Sequence, residues 1–242
     1  ALAANTTGNQ NVAVGRAAME ANTEGTSNVA IGQHSMLLNT TGLANTAVGG
    51  FSLDSNTTAD FNVAVGYFAL GLNTTGDQNT ACGRGALANN TTGTLNAALG
   101  DEALVNLTTG SNNTACGRDA LENATTSSNN TALGCNAGDT LTDGHSNVII
   151  GESSDADNAS RVGSVALGQG IGTHAANNSF RVIGAGGVYH TGNTTTWSTT
   201  SDERIKKEIV DSSVGLAEIN KVKIRNFKYR TASEITATEL QS

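Results

Sequence analysis

A five-residue phrase, Asn-x-Ala-x-Gly, returns every 17 residues along the first two-thirds of the chain, and a degraded copy follows in step at 164–168. Nine copies in strict register begin at Asn11, Asn28, Asn45, Asn62, Asn79, Asn96, Asn113, Asn130 and Asn147, with Ile149 in place of Ala in the last. A period this short and this constant is typical of a solenoid, in which each coil stacks on its neighbours to bury apolar surface. We therefore predict an all-β, 17-residue-repeat β-solenoid over residues 1–168.

The alternation within each phrase predicts a β-strand with two faces. The second and fourth positions point one way, and the Asn, Ala and Gly point the other way. The fourth position is always Val, Ile, Leu or Cys, as at Val65 and Leu99, so we predict that it faces the coil interior. Cys82 and Cys116 share this position and are predicted to be small buried hydrophobic residues. The recurrent Ala is predicted to lie against a neighbouring chain.

A second signature, a small residue followed by Leu or Met, lies seven and eight places after each of the first seven Asn residues, as in Ala69-Leu70. It predicts a second strand in each coil. An Asn-Thr-Thr-Gly turn, such as 73–76, then leads to the next coil, since Gly tolerates positive φ and Asn and Thr bond nearby backbone. These turns also match the Asn-x-Ser/Thr pattern of glycosylation sequons. The residue preferences of turns are sufficient to explain this match. Asn residues stacked at one phase predict amide ladders along the rod.

Composition and charge restrict the partners of such a rod. The chain has no Pro, 29 Gly and 4% aromatic residues, which is too little to fill a wide globular core. Residues 1–200 contain five Arg, no Lys and 14 acidic residues, whereas 201–242 contain eight basic and seven acidic residues. The acidic rod argues against nucleic acid as a partner, and the change in charge marks a boundary near Ser201. No pattern predicts a cofactor or a metal ion.

The repeats resemble those of two families of trimeric fibres. They are similar to the β-roll heads of trimeric autotransporter adhesins and more closely to the Leu-Asn-Thr-Thr-Gly-x-x-Asn-Thr-Ala-x-Gly repeats of phage tail fibres. The resemblance covers about 1–168 and implies a homotrimer. Both a β-roll with coils made by one chain and an interlocked triple β-helix, with coils shared among chains, fit the period.

The pattern changes after Gly168. Residues 169–201 read as an extended trimeric neck. From Ser201, the run Ser-Asp-Glu-Arg-Ile-Lys-Lys-Glu-Ile, followed by an amphipathic helix at 215–221 and a strand, resembles the opening of an endosialidase-type intramolecular chaperone. We therefore expect 202–242 to be the start of this small α+β domain, truncated relative to its family.

That resemblance implies single-turnover self-cleavage between Ser201 and Asp202, with Lys206 as the third participating residue. Lys206 can act as a base only if its surroundings lower its pKa. Attack of the Ser201 hydroxyl on its own carbonyl would form a strained four-membered ring. The step therefore needs either a Ser from a neighbouring chain or the Asp202 carboxylate with a water. Alternatively, Ser201 and Asp202 simply cap a helix.

The predicted function is that of a structural and adhesive fibre of a phage virion, which lies outside the cell and attaches to the host. Its expected partners are other virion tail proteins and a host cell-surface receptor, glycan or protein. The receptor-contact candidates are Phe51, Phe61, Tyr67 and Phe68, which occupy two neighbouring coils; packing against another chain is the alternative. Phe51 and Phe68 share one phase, so their rings are expected to stack at about 5 Å.

Two other functions remain open. One is a tailspike enzyme that cleaves host glycans, for which paired carboxylates are needed. The nearest approaches to such a pair are Asp101 with Glu102 and Asp155 with Asp157, although solvated loop charges also explain them. The other is a bacterial trimeric adhesin, which would share the rod but end in a membrane anchor.

Overall fold

The computed structural model describes residues 1–156, 158–170, 177–182, 188–190 and 198–199. Contacts along the chain divide it into Ala1–Thr200 and Ser201–Ser242, and the described residues all belong to the first unit. The predicted self-cleavage residues Ser201, Asp202 and Lys206 lie outside the described residues. Self-cleavage and the chaperone segment therefore stay predictions.

The described part of the chain forms one sheet whose 13 strands follow each other in chain order. The strands are β1 (Val12–Val14), β2 (Val29–Ile31), β3 (Thr46–Val48), β4 (Val63–Val65), β5 (Thr80–Cys82), β6 (Ala97–Leu99), β7 (Thr114–Cys116), β8 (Thr131–Leu133), β9 (Val148–Ile150), β10 (Val165–Leu167), β11 (Phe180–Val182), β12 (Val188–His190) and β13 (Ser198–Thr199). The first 11 run parallel, whereas β12 pairs antiparallel with β11 and β13 with β12. The described residues contain no helix. The predicted all-β solenoid is confirmed.

The register of the sheet follows the sequence period. Val63 pairs with Thr80 and Val65 with Cys82, so each strand pairs with the strand one period further along the same chain. The coils are therefore stacked within one chain, as in a β-roll. The last parallel step, from Val165 to Phe180, is shorter than the period and adds a strand beyond the predicted end of the solenoid at residue 168.

The prediction of which strand face is buried was wrong. The Ala residues of the phrase from Ala30 to Ala132, including Ala64 and Ala98, are at most 1% exposed, whereas Val65 and Leu99 are 36% and 45% exposed. Cys82 is exposed and Cys116 is partly exposed, against the prediction for both. The Ala is small because the opposite wall of its own coil lies close to it, not because another chain does.

The predicted second strand is a turn that supplies the core. Leu70 and Phe68 have φ of 50° and 57°, the left-handed region, in which a strand cannot continue. Each such residue costs about 1–2 kcal/mol of backbone strain. Inter-coil hydrogen bonds, such as Leu70 N–H to Ala86 O at 3.0 Å, and burial of the side chain offset this cost. The buried residues of this row are Met19, Met36, Leu53, Leu70, Leu87, Leu104 and Leu121.

Two buried Asn ladders run along the rod, as predicted. At the start of the strand, the backbone N–H of Asn62 donates to Asn45 Oδ1 at 2.9 Å. In the turn, Asn39 Nδ2 donates to Asn22 Oδ1 at 2.8 Å. The turn Asn residues from Asn22 to Asn90 are fully buried, so the folded rod does not present the sequons at Asn39, Asn56, Asn73 and Asn90 to a glycosylating enzyme. Asn5, in the first turn, is exposed.

The turn ladder changes character at Leu107. The preceding member, Asn90, donates to Asn73 Oδ1 at 2.8 Å, but its own Oδ1 is buried without a hydrogen-bond partner. Leu107 stands where the next Asn would donate, and it is completely buried. From this coil onward the row is Leu107, Ala124 and Leu141, so apolar packing replaces the amide ladder.

Candidate functional site

An aromatic row lies on the side of the coil that follows the strand. We define it as His34, Phe51, Tyr67 and Phe68. The rings of His34 and Phe51 have centroids 5.0 Å apart, those of Phe51 and Tyr67 are 5.8 Å apart, and both pairs meet edge to face. Tyr67 and Phe68 follow at 6.5 Å, with Tyr67 58% exposed. The row therefore presents a continuous aromatic surface across three coils.

Phe51 meets Tyr67 rather than Phe68, so the expected stacking of Phe51 on Phe68 was wrong. The Phe68 ring instead lies over Gly71 of its own coil, where an added Cβ would be 2.7 Å from Phe68 Cε2. The Tyr67 ring is paired with both, with its centroid 5.8 Å from that of Phe51 and 6.5 Å from that of Phe68. His34 was missed from sequence, although it stands one period before Phe51 and so shares its phase.

Phe61 lies apart from the aromatic row. It precedes β4, whereas Tyr67 and Phe68 follow β4, so the strand separates them. Phe61 is 56% exposed. The structure thus brings together three of the four receptor-contact candidates and leaves the fourth on the other side of the strand.

A groove of about 430 Å³ adjoins the aromatic row. Phe68, Gly85 and Glu102 occupy the same phase in three successive coils, so Phe68 and Glu102 are about 9.6 Å apart along the rod. Gly85 has no side chain to fill the space between them, and a Cβ added there would meet only Glu102 Cγ, at 3.4 Å. A missing side chain in a regular row therefore creates the groove.

Charged side chains form one edge of this groove. Arg84 donates from one terminal nitrogen to Asp101 Oδ2 at 2.8 Å and from the other to Glu102 Oε1 at 2.7 Å. Hydrogen bonds to Asp101 and Glu102 raise the pKa of the Arg84 guanidinium above its usual value. Asp101 and Glu102, the carboxylates considered for catalysis, are thus both held by one arginine. Guanidinium has five N–H donors, so three remain for another partner.

The comparisons with known proteins add no family. No protein-family model, curated protein or solved structure matches the chain. Within the described residues, no helix is long and apolar enough to cross a bilayer, and no three His, Cys, Asp or Glu residues are grouped as for a metal ion.

A second carboxyl cluster lies near the end of the regular repeats. Asp155 accepts a hydrogen bond from the Thr140 hydroxyl at 2.7 Å. Burial, and then a hydrogen bond with the Asp139 carboxyl, raise the pKa of Asp155 to about 7. The partner of Asp155 is therefore Asp139 in the adjacent coil, and Asp157, suggested from sequence, lies outside the described residues.

The coils around Asp155 are expected to be less stable at pH 8 than at pH 5. Folded Asp155 keeps its proton up to about pH 7, whereas the unfolded residue loses it near pH 3.9. Its contribution to stability is therefore complete below the unfolded pKa and is lost as the pH rises through about 7. Because Asp155 is partly exposed, we expect a loss of about 1–3 kcal/mol.

Hydrogen exchange of amides in 139–156, corrected for the intrinsic pH dependence of exchange, measures this effect. Asp155→Asn is expected to abolish the difference between pH 5 and pH 8. Asp143→Asn is the control, because a hydrogen bond from Ser160 lowers the pKa of Asp143, which is then ionised throughout this pH range. Equal protection of the parent protein at both pH values would contradict the prediction.

Proposed function

We propose that the chain is a subunit of a trimeric fibre of a phage virion, with a structural and adhesive role in host attachment. The observation that carries this proposal is the strand face, defined as the side chains at the second and fourth positions of each phrase. The strand face runs without interruption along the rod, and its side chains are exposed or half-buried on an isolated chain. A rod of this kind needs a partner along its length.

The strand face is too apolar for a surface that stays in water. Val14, Leu99 and Leu133 are 56%, 45% and 47% exposed, and residues of the same kind occupy the fourth position in coil after coil. Parallel sheets are normally covered on both faces. A contiguous exposed apolar patch marks an interaction surface. Ten stacked strands give this stripe a length of roughly 45 Å.

Other copies of the same chain suit this stripe. The side chains of this stripe repeat once per coil, and an identical rod has the same distance between its coils. Parallel copies therefore present matching rows of side chains over the whole length. Cyclic symmetry then closes the assembly around a common axis. The number three is supported by the resemblance of the repeats to trimeric adhesin heads and phage tail fibres.

The resemblances also support the virion assignment. The repeats are more similar to those of phage tail fibres than to those of bacterial adhesins, and the segment from Ser201 resembles a chaperone that trimerises phage fibres. In this proposal 202–242 belongs to a domain that drives trimerisation and is released by cleavage after Ser201. The partners are other virion tail proteins and a receptor on the host surface, with the aromatic row as the receptor contact.

The two alternatives have less support. A glycan-cleaving tailspike needs a free acid and a second carboxylate across a sugar, yet Asp101 and Glu102 both pair with Arg84. The pKa of Asp155 is raised, but the neighbouring Asp139 carboxyl is hydrogen-bonded to Asp155, in a cluster that includes Thr140. A bacterial trimeric adhesin would share the strand face. A phage fibre is favoured because the segment from Ser201 resembles a chaperone that trimerises phage fibres.

Sedimentation velocity of the full chain tests the assembly. We expect the parent protein to sediment as a trimer. Val65→Asp combined with Leu99→Asp places carboxylates on the strand face, and should yield monomers whose circular dichroism still shows the solenoid. Thr92→Asp, on an exposed turn, is the control and should remain trimeric. A monomeric parent, or a trimeric double variant, would overturn the proposal.

A further inference from the structure

We infer that the groove between Phe68 and Glu102 is a binding site for a neutral oligosaccharide. The inference names the ligand class for the receptor contact and so rests on the proposed adhesive function. It is carried by the chemistry of the groove, which combines exposed aromatic rings with fixed hydrogen-bonding groups. Tyr67, Phe68, Arg84, Asn89 and Glu102 line the groove.

The apolar side of the groove suits a sugar ring. Tyr67 is 58% exposed and Phe68 is partly exposed, so both rings offer surface to a ligand. Edge contact with Phe51 and packing over Gly71 hold these two rings in place before any ligand arrives. A sugar ring has an apolar face of C–H groups, which packs on an aromatic face, and rigid aromatic surface binds at a low cost in conformational entropy.

The polar side of the groove suits hydroxyl groups. Two carboxylates fix the Arg84 guanidinium, which leaves donors free, and carboxylate oxygens keep unused lone pairs. Asn89 adds an amide, whose nitrogen lies 3.3 Å from Asn106 Oδ1 and whose oxygen is an acceptor. Donors and acceptors side by side match vicinal hydroxyls, each of which both donates and accepts.

The charge of the groove favours a neutral ligand. One guanidinium faces two carboxylates, Asp101 and Glu102, so the local charge is negative, as is the net charge of −8 over the whole chain. Phosphorylated, sulfated or sialylated ligands would be repelled. The volume of about 430 Å³ lies within the usual range of small-ligand sites, and the groove is open to solvent.

The groove is also compatible with the proposed trimer. Tyr67, Arg84 and Glu102 lie in the turn after each strand, whereas the strand face consists of positions within the strands. Copies that pack through their strand faces would leave this turn outside. Each fibre would then present three equivalent grooves, so that weak binding at each site becomes strong attachment to a surface that displays many copies of one glycan.

Glycan-array binding by the purified full-length protein tests the inference. The array carries neutral oligosaccharides together with sialylated and sulfated ones. We expect the parent protein to retain neutral oligosaccharides and to discriminate against the anionic ones. Binding to no glycan, or a preference for anionic glycans, would overturn the inference.

Two variants localise the binding to the groove. Tyr67→Ala removes the exposed ring, and Gly85→Phe fills the gap. Gly85 has φ of 65°, close to the 59° and 57° of Phe51 and Phe68 at the same phase, so this coil position accepts a Phe. Each variant should bind the retained oligosaccharide at least tenfold more weakly. Unchanged binding by Gly85→Phe, with its thermal melting matching the parent, would also overturn the inference.

A control variant and two further measurements separate this inference from the proposed function. Leu95→Ala removes an exposed apolar side chain on the other side of the strand and should bind like the parent. Sedimentation velocity reports the trimer independently of any ligand. If the parent protein is a trimer and still adsorbs to host cells after their surface sugars are oxidised, the proposed fibre function would be supported. The inferred carbohydrate site would then be overturned.

Discussion

Ala98→Asp is expected to unfold the coils around β6. Ala98 is completely buried against the opposite wall of its coil, and an aspartate there would be an unpaired charge in a dry interior. The cost is on the order of several kcal/mol per chain. Because each coil of a solenoid contacts only its neighbours, the damage should be concentrated in β5, β6 and β7.

Hydrogen exchange of the backbone amides in these three strands measures the loss of protection. Leu99→Asp is the matched control, since it introduces the same charge one residue away on the strand face. That variant should lose self-association but keep the protection within its coils. Equal loss of strand protection in Ala98→Asp and Leu99→Asp would contradict the burial of the Ala row.

The period of the sequence was sufficient to predict the stacking of coils and the Asn ladders. A constant spacing of 17 residues places Asn45 and Asn62 at the same point of successive coils, so their side chains must meet. Alternation in the strand likewise predicted two faces. It could not say which face was inside, because the interior of so narrow a coil takes Ala64 and leaves the larger Val65 outside.

The turns were harder to predict because their conformation depends on inter-coil contacts. The residue types of Ala69 and Leu70 are compatible with a strand or a helix. The left-handed φ at Leu70 is stable only because of contacts with the stacked neighbouring coils. The candidate site shared this difficulty. The aromatic residues could be identified from the sequence. The groove, however, depends on the missing side chain at Gly85, and this matters only because side chains at the same position of neighbouring coils point outward.

Gly49→Ala is expected to have the second large effect, from backbone geometry alone. Gly49 immediately follows β3 and has φ of 135°, a backbone conformation that residues with side chains rarely adopt. An added Cβ would also collide with the carbonyl group of Gly66 in the next coil, with its carbon at 2.6 Å. The two backbones stack too closely for either to move without breaking the backbone hydrogen bonds between the coils. We expect a destabilisation of about 3 kcal/mol or more.

Gly50→Ala is the control, because it adds the same methyl group one residue further along the chain. The nearest atom to a Cβ at Gly50 is Tyr67 Cδ2 at 3.5 Å, an ordinary van der Waals distance. Its effect should therefore stay within about 0.5 kcal/mol. Urea titrations followed by circular dichroism at one protein concentration compare the two variants with the parent. Similar unfolding midpoints for Gly49→Ala and Gly50→Ala would show that the close stacking of the glycines does not limit the stability of the rod.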